Sequence, residues 1–384
     1  MIETVNPTTG ELVATYEVTT PDAVAHHVRR ATEEQSRWEE TPLDERAAIL
    51  RRAADLLEER EEHLGRLMAI EMGKPISQGV AEVRKSAFGC RHYADEGPRI
   101  LADQHIDADR PRSYVAWRPL GVVLAIMPWN FPLWQVLRMA APTLMAGNAA
   151  LLKHASNVTG CALAIDELWS DAGLPDGLFR TLVLPSSRVA DVIADPGVAA
   201  VTLTGSDPAG RAVASQAGQL LKKTVLELGG SDPHVVLADA DLDRTVAACG
   251  TSRLLNGGQS CISAKRFIVE APIVDEFTER LAAHMSGAVV GDPLDPAVTM
   301  GPMARHDLRD ELHDQVVRSL EAGAELRMGG EIPDGPGAFY PPTILTGVTK
   351  GMAAYHEETF GPVATVIAVE DVAEAVFVAN DTDF

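Results

Sequence analysis

Residues 122–154 read VVLAIMPWNFPLWQVLRMAAPTLMAGNAALLKH, and this stretch decides the fold. Val122 to Ile126 is a short apolar run with the character of a buried strand. Pro128 and Pro132 stiffen the loop after it, and Asn130 offers an amide donor inside that loop. Arg138 falls on the helix that follows. Ala149 to Leu152 is strand-like again. The alternation continues outward: Val158 to Asp171 helical, Thr181 to Leu184 strand-like, Arg188 to Ala194 helical. Val198 to Thr202 is strand-like, Pro208 to Leu220 helical and Lys223 to Leu226 strand-like. Strands alternating with helices of this size make parallel βαβ units. Such a sheet receives its ligand at the carboxyl ends of the strands. Functional residues are therefore expected just after Ile126, Leu152, Thr202 and Leu226.

On the amino-terminal side the chain is helix-rich. Thr41-Pro42-Leu43-Asp44-Glu45 reads as a helix start, with a capping hydroxyl, proline in the first turn and acids behind it. Ile49, Leu50, Ala53, Leu56, Leu57, Leu64, Leu67 and Met68 then form an amphipathic stripe that ends at Gly73-Lys74-Pro75. A further helix is expected over Ser77 to Leu101. Ser113 to Trp117 is β-like. A second αβ block starts near Pro233, with strands at Val235–Leu237 and Arg266–Val269 and a helix over Asp275–Met285. Gly and Pro clusters mark long loops at 291–302 and 329–342.

The 384 residues carry 33 basic and 55 acidic side chains, a net charge of −22. A surface that negative repels phosphate backbones and anionic membranes, so neither nucleic acid nor membrane is expected as a partner. No basic stretch precedes an apolar core at the amino terminus, so no secretory signal is read. Cys90, Cys161, Cys249 and Cys261 are widely spaced with no CxxC pair. That argues against disulfides or a zinc site and for a cytoplasmic setting.

Four motifs carry chemistry. Cys261 lies in the polar, Gly-flanked loop Asn256-Gly257-Gly258-Gln259-Ser260-Cys261. It is either an inert packed thiol or a nucleophile open to a ligand. Glu227, in Leu226-Glu227-Leu228-Gly229-Gly230, is either a buried structural acid or a base whose pKa is raised by desolvation. Pro128-Trp129-Asn130-Phe131-Pro132 is a stiff loop with a donor. Thr204-Gly205-Ser206-Asp207-Pro208-Ala209-Gly210 opens a helix whose amides suit an anion. Arg211 and Ala212 stand where a P-loop needs Lys and Ser/Thr, so diphosphate binding is favoured over phosphoryl transfer.

In this order the motifs resemble those of the NAD(P)-dependent aldehyde dehydrogenase superfamily over essentially the whole chain. Asn6-Pro7-Thr8-Thr9-Gly10, Lys153 after its strand and Glu358-Thr359-Phe360-Gly361-Pro362 complete the match. Leu152-Lys153-His154-Ala155 and Lys222-Lys223 look closest to bacterial succinate-semialdehyde dehydrogenases. The resemblance implies an α/β fold with a Rossmann-type cofactor domain (1–100 and 120–230), a β-arm for oligomerisation (101–119) and an α/β catalytic domain (231–384). A homodimer or homotetramer is implied for the full-length form. It also implies about 70 further residues beyond Phe384, within a normal domain size. On that reading the catalytic domain is incomplete, and the 384-residue form is expected to expose apolar surface and to be poorly soluble or inactive.

The resemblance further implies roles. Cys261 is the nucleophile, Glu227 the base that activates water, and the Asn130 amide with the Cys261 N–H the oxyanion site. Trp129 sits over the nicotinamide half of the cofactor, and Lys153 binds the adenosine ribose. Gly205 and Ser206 form the diphosphate turn, and Glu358 and Phe360 hold the nicotinamide ribose and ring. Ser156 stands where NAD-preferring relatives often carry an acid, and Ser beside Lys153 and His154 does not repel a 2′-phosphate. NADP, alone or with NAD, is the expected cofactor, and no metal is needed. Arg138, six residues after Pro132, is expected either to pair with a substrate carboxylate or to be a surface residue. Where many relatives carry a second arginine, six residues before the cysteine, this chain has Leu255, with Arg253 two residues earlier. Succinate semialdehyde is the expected substrate. The alternatives are another aliphatic aldehyde, or a cofactor-independent thiol hydrolase.

Overall fold

The computed structural model describes residues 1–110 and 112–384. Its chain divides into two compact units. Residues 1–4, 12–68 and 79–228 form the first, and residues 5–11, 69–78 and 229–384 the second.

The chain opens with a two-stranded sheet, β1 (Ile2–Val5) and β2 (Leu12–Tyr16), which the helix-rich reading of this region did not anticipate. Four helices follow: α1 (Pro21–Trp38), α2 (Leu43–Glu59), α3 (Glu61–Met72) and α4 (Ile76–Ile100). The stripe from Ile49 to Met68 is thus two helices that break at Arg60. Thr41 does not cap α2. Pro42 holds the cap position, with no side-chain hydrogen bond. β3 (Gln104–His105) and β4 (Tyr114–Val115) pair antiparallel as a short ribbon. This ribbon lies within the expected arm 101–119, of which Pro111 is outside the described residues.

The first unit's sheet comprises β5 (Val122–Met127), β6 (Ala149–His154), β7 (Phe179–Thr181), β8 (Val198–Thr204) and β9 (Lys223–Glu227). Their order is β7-β6-β5-β8-β9, and every pairing is parallel. The connections carry α5 (Trp134–Met145), α6 (Thr159–Asp171), α7 (Val189–Ala194) and α8 (Asp207–Gln219). From β5 the chain winds outward through β6 and β7, then returns to place β8 on the other side of β5. In open parallel sheets such a reversal is where ligands bind, which here points to the carboxyl ends of β5 and β8. β5 and β6 are apolar along nearly their whole length because helices cover the sheet.

The second unit holds β10 (Pro233–Val236), β11 (Arg266–Glu270), β12 (Glu325–Met328), β13 (Thr343–Thr346) and β14 (Val363–Val369), in the order β10-β11-β14-β13-β12. Only β12 runs antiparallel to its neighbour. The remaining helices are α9 (Leu242–Leu254), α10 (Val274–Ser286), α11 (His306–Glu321), α12 (Ala353–His356) and α13 (Val372–Asn380). Strand alternation sends Phe267 and Val269 to one core with Phe277 and Leu281 of α10. It sends Ile268 to the other, with Leu312 and Val316 of α11 and Val378 of α13. Among the described residues no helix is long and apolar enough to cross a membrane.

Candidate active site

Every expected site residue of the first unit lies at or just beyond the carboxyl end of a parallel strand or on the helix after one. Trp129 and Asn130 occupy the loop after β5, with Asn130 buried and Trp129 partly so. Two side chains hold this loop, and sequence reading missed the first of them. Glu82 of α4 is buried, and its Oε1 accepts the Leu133 and Trp134 N–H groups at 2.9 and 3.0 Å, where α5 begins. A carboxylate there meets the positive end of the helix. His154 ends β6. Its Nδ1 lies 3.0 Å from the Ala155 N–H and its Nε2 2.9 Å from the Pro132 carbonyl. Nδ1 also lies 3.1 Å from the Met127 carbonyl, so each ring nitrogen faces a carbonyl to which a ring N–H can donate.

This corrects the reading that set His154 beside the cofactor. The ring is buried and braces the Asn130 loop from within. Burial pushes its pKa down to about 4, against the pull of the Pro132 and Met127 carbonyls. The unfolded chain, with an ordinary histidine, binds a proton at higher pH than the folded one. Stability from this group is therefore intact above pH 7 and falls as pH drops from 6.5 towards 4. The full shift corresponds to about 3 kcal/mol. Urea unfolding between pH 7 and pH 4.5 should show this slope, and His154→Gln should flatten it.

Lys153, the residue before, is buried, and burial alone lowers its pKa. Ser156 opens a short 3-10 turn, Ser156–Val158. The buried Asn157 side chain beside it has both polar atoms without a hydrogen-bond partner. Gly205 donates to the Glu227 carbonyl at 3.0 Å, which ties the ends of β8 and β9 together. Ser206 is the N-cap of α8 but makes no side-chain cap bond, so the first-turn amides stay open to an anion.

Glu227 is the last residue of β9, and both sequence readings of it assumed burial. That assumption is corrected: its side chain is 54% exposed. Arg138, on α5, reaches it, with Nη2 3.4 Å from Oε2. The two residues expected to serve as base and as carboxylate reader are therefore neighbours. Exposure makes the pair weak and easily exchanged.

In the second unit, Cys261 follows a tightly bound loop. Asn256, Gly257 and Gly258 all have left-handed backbone, with φ of 55°, 62° and 73°. The Asn256 side chain donates to the Gln259 carbonyl at 3.0 Å, and Gln259 Oε1 accepts the Ala304 N–H at 2.9 Å. A Cβ at Gly258 would collide with the Gly361 carbonyl, so only glycine fits. Arg253 is fully buried and donates to the Gly258 carbonyl at 2.5 Å. Burial pushes its pKa down to about 9, opposed by the Glu358 carboxylate. Arg253 thus braces the loop from below, while Leu255 is about half exposed. Cys261 is partly accessible, and the other three cysteines are buried. Burial pushes the Cys90 thiol up to about 12 and Cys249 up to about 11, which keeps both protonated and unreactive.

Glu358 and Phe360 lie in the turn after α12. Glu358 Oε1 is 2.6 Å from the ammonium of Lys265, and its Oε2 rests where a Cβ on Gly229 would be. Lys265 also donates to the carbonyls of Gly230 at 2.5 Å and Cys261 at 2.7 Å. It is the second residue that sequence reading missed; its closeness to Cys261 in sequence was the available signal. Arg266, also buried, binds the Ser231 carbonyl and closes the end of α13 through Val378 and Ala379.

The aldehyde dehydrogenase family profile matches residues 1–384. The chain is 49% identical over 387 residues to the succinate-semialdehyde dehydrogenase (NADP+) of Mycobacterium avium, covering 100% of this chain and 82% of that one. It is 48% identical to succinate-semialdehyde dehydrogenase (NADP+) 1 of Mycobacterium tuberculosis, covering 100% and 84%. Among solved structures, the succinic semialdehyde dehydrogenase of Streptococcus pyogenes in complex with NADP+ matches with a TM-score of 0.98. The identity is 38%, over 100% of this chain and 85% of that one. The parallel sheet with its reversal beside β5, the accessible thiol on a braced loop and these whole-chain matches lead to one conclusion: the chain belongs to the aldehyde dehydrogenase family.

Proposed function

We propose that this enzyme oxidises succinate semialdehyde to succinate with NADP+. The observation that carries the reading is whole-chain identity of 48–49% to NADP+-dependent succinate-semialdehyde dehydrogenases. The site chemistry agrees with it. Cys261, as thiolate, adds to the aldehyde carbon, and the Asn130 amide and Cys261 N–H receive the negative charge that moves to oxygen. When bound, the nicotinamide accepts the hydride that leaves that carbon. The carbon stays attached to Cys261 as a thioester. Glu227 then takes a proton from water as the water attacks, and Cys261 departs as thiolate.

We assign cofactor binding to residues 1–100 and 120–230, and the catalytic domain to residues 231–384. Lys153, Ser156, Gly205, Ser206, Trp129, Glu358 and Phe360 are the residues that would hold the dinucleotide. The fit rests on a buried ammonium with no carboxylate paired to it among the described residues, on the open amides of α8 and on a serine, not an acid, at 156. A 2′-phosphate suits that setting. The ribbon at 104–115 carries exposed Ile106, Tyr114 and Val115, which supports its use as an arm in a homodimer or homotetramer. The four widely spaced cysteines, with no CxxC pair, agree with a reducing cytoplasm.

A panel of semialdehyde acids and uncharged aldehydes with NADP+ and NAD+, read by nicotinamide absorbance, tests the proposal. Succinate semialdehyde with NADP+ should give the highest kcat/KM. A higher kcat/KM with an uncharged aldehyde, or no nicotinamide reduction by a folded protein that binds NADP+, would overturn it. Arg138→Ala should raise KM for succinate semialdehyde by about 10- to 100-fold, the loss of a charge-assisted pair of roughly 1.5–3 kcal/mol. For butanal, KM should change less than about threefold, within ordinary variation for an untouched contact. Equal effects on both aldehydes would remove Arg138 from substrate recognition.

A further inference from the structure

We propose that Lys265 is a positioning residue that fixes the nicotinamide-side groups Glu358 and Phe360 relative to the nucleophile, and so sets the rate of hydride transfer. The proposal rests on the functional reading above, which names Cys261, Glu358 and Phe360 as site residues.

A lysine ammonium has three hydrogens to donate. In Lys265 all three are committed, to the carbonyls of Gly230 and Cys261 and to Glu358 Oε1. The same Nζ lies 5.9 Å from the centre of the Phe360 ring, within cation–π range. One fully buried side chain thus touches the ELGG turn, the backbone of the nucleophile and both residues assigned to the nicotinamide end. Its ion pair with Glu358 has 0% and 19% side-chain exposure, far less than a surface pair. Burial disfavours the ammonium, and Glu358 is the main group that restores it.

The geometry separates two tasks. The cysteine loop has its own supports, which are Arg253 on Gly258, Asn256 on Gln259 and Gln259 on Ala304. Loss of Lys265 leaves those in place. Glu358 differs. Lys265 holds one carboxylate oxygen and the wall at Gly229 confines the other. Without the ammonium the carboxylate can turn away, and the group meant to orient the ribose is lost. Hydride transfer depends steeply on such placement. Acylation of the thiol by an activated ester does not use the nicotinamide.

The test compares wild type with Lys265→Met and, in case the first does not fold, Lys265→Gln, which keeps two donors without the charge. Three quantities are read: Kd for NADP+ by calorimetry, the deuterium isotope effect on kcat with succinate semialdehyde deuterated at the aldehyde carbon, and cofactor-free hydrolysis of p-nitrophenyl acetate. The variant should weaken NADP+ binding by about 3- to 10-fold and slow hydride transfer by about 10- to 100-fold. A primary isotope effect should emerge or grow. Ester hydrolysis should stay within about threefold of wild type. A parallel fall in ester hydrolysis would make Lys265 merely structural, and unchanged hydride transfer would leave it without the proposed role. Either result overturns the inference. Absence of NADP+-dependent oxidation in the wild type would instead defeat the functional reading.

Discussion

Cys261→Ala should lower kcat for succinate semialdehyde oxidation by at least about 1,000-fold while leaving the Kd for NADP+ within about twofold. The size of the effect follows from the absence of a substitute. Cys90, Cys161 and Cys249 are buried, and burial raises the thiols of Cys90 and Cys249 far above neutral pH. No other described cysteine can supply a thiolate to a substrate. Without covalent capture the aldehyde carbon forms no tetrahedral adduct with the enzyme from which hydride can leave. The Cys261 side chain is partly exposed, so alanine there creates no large buried cavity, and the melting temperature should be nearly unchanged. Retained activity in the variant would exclude Cys261 as the nucleophile.

Glu227→Gln should separate the two halves of the reaction. Capture and hydride transfer come before water is needed, so a stopped-flow trace should keep a burst of NADPH close to one equivalent per site. The steady-state rate after it should fall by about 100- to 1,000-fold, within the span found for general acid–base groups. Loss of the burst together with the steady state would place Glu227 in the first half instead. The carboxylate is half exposed and pairs with Arg138 at 3.4 Å. A single weak contact lets it turn towards a water molecule at little cost.

Much of this fold is legible in the sequence because the period of the apolar pattern changes where the structure changes. Val122–Ile126 and Ala149–Leu152 read as strands and are strands, each extended by one or two residues at its carboxyl end. Those added residues include Lys153 and His154, which therefore alternate across β6 and cannot face one ligand together. That is why His154 was misplaced. Glu227 was misread for a related reason. Leu226 and Leu228 suggest burial around it, but β9 is an edge strand with mostly exposed side chains. A strand's place in the sheet is set by long-range pairing that local pattern does not contain. The same holds for Glu82 and Lys265, which act on loops 51 and 93 residues away in sequence. Glu82 has no local signal beyond being a charged residue in an amphipathic stretch, and Lys265 none beyond its closeness to Cys261 in sequence. The motifs themselves were legible because tight turns and close approaches restrict residue type, as Gly258 against Gly361 illustrates.

The covalent step can be observed directly in Glu227→Gln, where hydrolysis is slow. The enzyme is mixed with succinate semialdehyde, quenched in acid and digested, and the peptide that contains Cys261 is weighed. The account predicts a succinyl thioester on Cys261 that forms only when NADP+ is present, together with an equal amount of NADPH. An adduct on another residue, an acyl group formed without NADP+, or NADPH produced with Cys261 unmodified would contradict it.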